Sequence, residues 1–338
     1  MLNKNNLSTI SHLKVLLLLD NRHGHRSQCI GVAEALGLPF QVMELDYNFI
    51  SSLPNYLLGA SFIGIKRPKV KFLTGPFPDI IISAGRRTAP VAQKLKKISN
   101  NFTKLVQIMV PTSTNLKLFD LIAVPSHDLV NESVKIVKIQ GAPHRLFPQM
   151  QGFLQKKWLP YLSDIPTPRI ALLVGGSTKN RIFSLKMANE LANLSSNIAR
   201  NTGGSLLIAT SPRTGIVAEY FINKITAPAK TFKWGNPGEN PYQGFLALAD
   251  AIIVTGDSMS MCSEACFSKK PVYIYAPRKL ITQKHKRLHD ELFSLGLAKP
   301  FSRSTIYSKK SFLNWTHPPL NSAIKVASAI HKLVTEGK

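Results

Sequence analysis

Acidic residues are scarce in this 338-residue chain: 18 Asp plus Glu stand against 43 Lys plus Arg, for a formal net charge of +25. Between residues 51 and 119 the single acid is Asp79, amid Lys66, Arg67, Lys69, Lys71, Arg86, Arg87, Lys94, Lys96, Lys97, Lys104 and Lys117. Such a balance favours an anionic partner, whether nucleic acid, a phospholipid surface or a phosphorylated ligand, unless it only reflects a lysine-rich proteome. Cysteine is nearly absent too. Cys29, Cys262 and Cys266 show no CxxC and no Cys/His ligand spacing, and an odd number argues against a disulfide framework. Long apolar runs are also missing. Val15 to Leu19 falls far short of the roughly 20 residues a membrane span needs and has no cleavage site, so a cytoplasmic protein is expected. HExxH, GxSxG, GxGxxG and Walker A patterns do not occur, which leaves a zinc hydrolase or an α/β-hydrolase without a motif.

What is present is an even spread of hydrophobic residues, 44% of the chain, over a length that suits two domains of about 150 residues. Short apolar runs alternate with amphipathic stretches. Strands are expected at Lys14–Asp20, Asp79–Ser83, Leu105–Met109, Leu121–Val124 and Val134–Ile139, with helices at Ser27–Leu36 and Thr88–Lys97. Prolines 148, 160, 166 and 168 then gather as in a linker. The pattern restarts with strands at Arg169–Val174, Ser205–Thr210, Ala229–Trp234, Ala251–Thr255 and Pro271–Tyr275, and a helix at Ser184–Arg200. This predicts an α/β protein of two Rossmann-like domains, residues 1–150 and 165–318, with a terminal helix over 319–338.

In open α/β sheets ligands sit at the carboxyl ends of the strands, so four strand-following turns are candidate sites. After the first strand, Asp20-Asn-Arg-His-Gly-His-Arg-Ser-Gln28 offers Gly24 for close backbone approach and His25 or Asp20 as a general base; the bland alternative is a polar loop whose Ser27 caps a helix. Arg86 and Arg87, in Ser83-Ala-Gly-Arg-Arg-Thr88, form an anion site or a solvated basic turn. Gly175-Gly176-Ser177, with Lys179 and Arg181 close by, offers small residues and free N–H groups to a diphosphate, and Arg213 in Thr210-Ser-Pro-Arg-Thr adds a guanidinium. Last, Thr255-Gly-Asp-Ser-Met-Ser-Met-Cys-Ser-Glu264 ends a strand and opens a helix capped by Asp257 or Ser258. Asp257, Ser260 and Glu264 then share one helical face.

Taken in order, DNRHGHRSQ, PDIIISAGRRTAP, FDLIAVPSHD, GAPHR, LLVGGSTKN, TSPRT and NPYQGFLALADAIIVTGDSMSMCSEACFSKKPVYIY resemble the ELM1-like family, over about residues 14–299. Ile108–Thr114 and Arg213–Gly215 depart from the family's pattern. The resemblance implies a GT-B glycosyltransferase fold, two Rossmann-like domains facing each other across a cleft. It further implies Glu264 on a ribose, and Gly175, Gly176, Ser177, Asp257 and Ser258 near the diphosphate and sugar, with the acceptor on the first domain. The expected function is sugar transfer from a nucleotide-sugar donor to a lipid or envelope-glycan acceptor, with His25 or Asp20 as base, no metal, no cofactor and no nucleic acid. The alternative is an adaptor of the ELM1 type that recruits a protein partner at a membrane; a nucleotide-sugar epimerase would need more acidic groups than these turns provide. The acid-free segment Asn55–Pro78, with Tyr56, Leu57, Leu58, Phe62, Ile63 and Phe72 beside Lys66, Arg67, Lys69 and Lys71, suits a peripheral contact with an anionic membrane.

Overall fold

The computed structural model describes residues 12–66, 74–128, 135–146, 148–307 and 309–336. The chain divides into two compact units: unit 1 comprises Met1–Arg145 with Asn321–Lys338, and unit 2 comprises Leu146–Leu320.

Unit 1 runs β1 (Val15–Leu19), α1 (His23–Leu36), β2 (Phe40–Glu44), β3 (Ile80–Ala84), α2 (Ala89–Ile98), β4 (Lys104–Ile108), β5 (Leu121–Pro125) and β6 (Ile136–Ile139). All six strands are parallel, in the order β2-β1-β3-β4-β5-β6. Helices cover both faces, which is why β1, β3 and β5 read as unbroken apolar runs and are buried along their whole length. Connectivity reverses at β1, whose neighbours are β2 and β3. A ligand crevice is therefore expected beyond the carboxyl ends of β1 and β3.

Unit 2 runs α3 (Pro148–Trp158), β7 (Arg169–Val174), α4 (Leu185–Asn201), β8 (Ser205–Thr210), α5 (Val217–Asn223), β9 (Ala229–Phe232), α6 (Tyr242–Leu248), β10 (Ala251–Thr255), α7 (Met259–Ala265), β11 (Val272–Tyr275), α8 (Gln283–Ser294) and β12 (Lys299–Pro300). Its parallel sheet has the order β12-β11-β10-β7-β8-β9, so the reversal falls between β7 and β10. The proline-rich stretch read as a linker contains α3, which packs on α6: a Cβ on Gly244 would overlap the Trp158 ring.

The terminal helix, α9 (Ser322–Thr335), belongs to unit 1 and packs on α1. Ala323, Val326, Ala327 and Ile330 join Val32, Leu36 and the sheet in one buried cluster, and the Ser322 hydroxyl donates to the Gln140 carbonyl. Asn321 caps it, accepting from the Ala323 N–H at 2.9 Å.

Candidate functional site

The candidate residues fall into two groups, one at the switch point of each sheet. In unit 1 the chain leaves β1 at Asp20 and enters α1 at His23, four residues before the expected start. Arg22 occupies the N-cap without a side-chain bond, so His23, Gly24 and His25 form the first turn and point their N–H groups out of the helix. Asp20 is 3% exposed and accepts from the Arg22 N–H at 3.0 Å through Oδ1. Its Oδ2 meets His25 Nδ1 at 3.0 Å, and Arg87 Nη2 lies 3.7 Å away. Burial alone raises the Asp20 pKa, but the His25 bond, the Arg22 N–H and Arg87 outweigh it and hold the carboxyl below its ordinary range. The imidazole lies against Gly85, at φ +79°, where a Cβ would overlap the ring. That is the physical reason for glycine after β3.

The two arginines part company. Arg87 reaches over the Tyr47 ring, 4.3 Å from its centroid, and donates to Asn21 Oδ1 at 2.7 Å, at the rim of the Asp20–His25 pair. Arg86 turns away and donates to the carbonyls of Leu53 (2.5 Å) and Ser51 (2.8 Å) and to Asn55 Oδ1 (3.1 Å). It therefore pins the 51–55 loop with three of its five N–H donors, which a solvated basic turn would not do. GAPHR is structural in the same sense. Arg145 forks onto Glu34 of α1 (2.6–3.2 Å), and Gly31 has no Cβ because the His144 carbonyl sits there.

In unit 2 the turns after β7, β8 and β10 lock together around Asp257, which is 3% exposed. Asp257 Oδ2 accepts from the Gly176 N–H at 2.9 Å and pairs with Arg213 Nη1 at 2.7 Å. Gly175 donates to Thr255 Oγ1 (2.7 Å), Ser177 to the Arg213 carbonyl (2.9 Å) and Thr178 to the Arg181 carbonyl (2.7 Å). The free N–H groups expected of the diglycine turn are thus absent: each is consumed by a neighbouring turn. Glycine is needed here for packing, since a Cβ at Gly175 would overlap the Asp257 carboxylate and one at Gly176, at φ +135°, the Arg213 carbonyl. Desolvation pushes the Asp257 pKa up, and Arg213 with the Gly176 N–H offsets this only in part.

The expected helical face is corrected as well. Asp257 precedes the N-cap Ser258, whose hydroxyl accepts from the Met261 N–H at 3.5 Å; only Ser260 and Glu264 lie in α7. Glu264 accepts from the Tyr242 hydroxyl at 2.5 Å beside a cavity of about 20 Å³ lined by Leu146, Leu154, Leu246 and Phe267, which has room for a water and none for a ribose. Arg213 keeps a partly exposed side chain at this cluster.

His285 escaped sequence reading. It stands at the third position of α8, where its Nδ1 accepts from the Thr282 N–H at 3.1 Å while the Thr282 hydroxyl accepts in return from the His285 N–H at 3.4 Å. Burial lowers its pKa, and both Asp257 and Arg213 act on it, so a largely neutral imidazole borders the Asp257 cluster. The signal was a capping box with His in the place usually held by Glu or Gln.

The model of the Mitochondrial fission ELM1 family matches residues 23–334. An uncharacterized protein of Rickettsia prowazekii (strain Madrid E) is 31% identical, with 94% of this chain and 98% of that protein covered. Among solved structures, the UDP-GlcNAc 2-epimerase of Methanocaldococcus jannaschii in complex with UDP-GlcNAc and UDP is similar at a TM-score of 0.57 and 15% identity, covering 96% of this chain and all of that one. The glycosyltransferase SnogD of Streptomyces nogalater follows at 0.50 and 12%, covering 96% and 95%. The two six-stranded parallel sheets with their helices are those of the GT-B fold.

Proposed function

The chain belongs to the mitochondrial fission ELM1 family, and we propose that it is a glycosyltransferase, moving a sugar from a nucleotide-sugar donor to a membrane-associated acceptor. One observation carries this reading: the Asp20–His25 pair at the switch point of the unit 1 sheet. A carboxylate on Nδ1 fixes the tautomer with its proton there and leaves the Nε2 lone pair as the base. A base so oriented takes the proton from an acceptor hydroxyl as that oxygen attacks the sugar carbon, and the nucleoside diphosphate leaves. Arg87 and the first turn of α1 keep the surroundings electropositive, which suits an acceptor or leaving group that carries phosphate.

The donor is assigned to unit 2, where Arg213, Ser258 and Ser260 are partly exposed at the Asp257 cluster. Glu264, held by the Tyr242 hydroxyl beside a cavity too small for a ribose, is left out of this donor site. Support for a nucleotide-sugar ligand comes from the archaeal epimerase of like fold, which holds UDP-GlcNAc and UDP. Membrane association rests on an exposed apolar surface: Phe49 (86% exposed), Leu53, Tyr56 (71%), Leu57 and Ile63, with Lys66 beside it. Leu58 and Phe62 of the same segment pack inward instead, and Arg67, Lys69, Lys71 and Phe72 lie outside the described residues. That surface equally favours the adaptor reading, in which a protein partner is recruited at a membrane and Asp20–His25 has no chemistry to perform.

A panel of nucleotide sugars separates the two. The transferase reading expects at least one member to raise the melting temperature of the wild type, since a ligand that binds only the folded state stabilises it. It also expects His25→Asn and Asp20→Asn to cut turnover at least about a hundredfold while donor affinity holds within about twofold. Binding of no member, or full turnover in both variants, removes the enzyme reading.

A further inference from the structure

Unit 2 contains a second opening at the carboxyl ends of β11 and β12, a pocket of about 960 Å³. Its floor is apolar and aromatic: Ile274, Tyr275 and Phe301 are buried there, with Phe293 of α8 along one wall. Its rim carries four cations, Arg181, Arg278, Lys286 and Arg303, and two acids, Glu190 and Asp290.

The acids are already answered. Asp290 pairs with Lys286 at 2.6 Å, and Glu190 accepts from the Tyr275 hydroxyl at 2.9 Å with Arg303 at 3.9 Å. Arg181 and Arg278 make no side-chain hydrogen bond or ion pair to any described residue. Arg181 stands on a tight turn held by reciprocal backbone bonds with Thr178 (2.7 and 3.3 Å), and Arg278 on the Pro277–Leu280 turn (2.8 Å). The hydroxyls of Thr282, Ser302 and Ser304 complete the rim.

We propose that this pocket binds a phosphorylated organic molecule, its phosphate between Arg181 and Arg278 and its apolar or aromatic body over Tyr275, Phe301 and Phe293. The volume is that of a pocket for a nucleotide-sized ligand. Two unpaired guanidiniums match a dianionic phosphate in charge and in fork geometry, and the floor excludes water from an organic body as a bare ion would not require. Lys286, Asp290 and Phe293 of α8 line the pocket while His285 of the same helix is turned toward Asp257, and Arg181 stands on the turn that adjoins the Asp257 cluster.

Calorimetric titration at low salt with adenosine monophosphate and with inorganic phosphate tests the assignment. Expected are saturable 1:1 binding of the nucleotide, weaker binding of inorganic phosphate, and at least a tenfold loss of nucleotide affinity in Arg181→Gln/Arg278→Gln. Lys325→Gln/Lys332→Gln, an equal charge change at exposed positions of α9, should bind as wild type. Arg213→Gln should also leave adenosine monophosphate binding intact and weaken only uridine diphosphate, so failure here and failure of the donor site remain distinguishable. Unchanged affinity in the Arg181/Arg278 variant, loss confined to Arg213→Gln, an equal loss in the α9 variant, or equal affinity for inorganic phosphate would each overturn the proposal. All the substituted residues but Arg213 are exposed, and an unaltered melting temperature confirms that each variant is folded.

Discussion

Gly176 combines φ +135° with a backbone carbonyl where a Cβ would sit. Gly176→Ala therefore meets both conformational strain and steric overlap, and should destabilise the protein by at least about 2 kcal/mol. Urea denaturation checks this; a midpoint within error of wild type would show that the β7 turn can relax. Asp20 makes a different expectation. Its folded-state pKa is lowered, so its contribution to stability is present above the ordinary carboxylate value of 3.8 and is lost as pH falls through the folded value. The melting-temperature gap between wild type and Asp20→Asn should be widest near neutrality and close below about pH 3.8. A gap that is constant with pH would mean that the carboxylate charge is not what holds His25 and Arg87. Such roles are invisible in a linear reading. Arg86 and Arg87 are adjacent and chemically identical, and only the fold sends one to the 51–55 loop and the other to Asp20.

At the scale of elements, most strands were legible because a strand covered on both faces must be apolar throughout: VLLLL, RIALLV, SLLIAT and AIIVT can hardly be anything else. The strands missed were those where this rule lapses. β2 (FQVME) is an edge strand with alternating exposure, and β12 has two residues, one of them proline. Helix starts were shifted where the cap lacked a capping side chain, as at Arg22. α3 was hidden because Pro148 reads as a breaker but stands at the first position of the helix, where its missing N–H costs nothing. For the candidate site, positions after strands were legible from topology, whereas the use of the diglycine N–H groups by Asp257, Thr255 and Arg213 is a long-range arrangement with no local sequence mark. The placement of α9 was equally unreadable, since its amphipathic pattern fits any apolar face. Its contribution can be measured: Ile330 is fully buried in the unit 1 core, and Ile330→Ala should cost about 2–5 kcal/mol, read from a denaturation curve. A loss below about 1 kcal/mol would mean that α9 docks only loosely.

For the whole molecule, the proposed membrane contact would combine the charge of +25 with the exposed apolar residues between 49 and 63. Apolar side chains entering the headgroup boundary beside cations, each worth about 1 kcal/mol near anionic lipid, give reversible attachment. Flotation with anionic vesicles should recover the wild type at low salt, less of it as salt rises, and little of a Phe49→Ser/Tyr56→Ser/Leu57→Ser variant. Wild type that stays at the bottom of the gradient at low salt would leave the charge to soluble anions. A last consequence follows from the return of α9 to unit 1, and it concerns time. The ribosome completes β1 to β6 early, yet the helix that covers α1 is made only after all of Leu146–Leu320. At roughly 5–20 residues per second that interval lasts on the order of ten seconds or more. Until α9 has been made, the side of α1 that it covers lacks its partner, and the unit 1 cluster that Ala323, Val326, Ala327 and Ile330 complete stays open to chaperones.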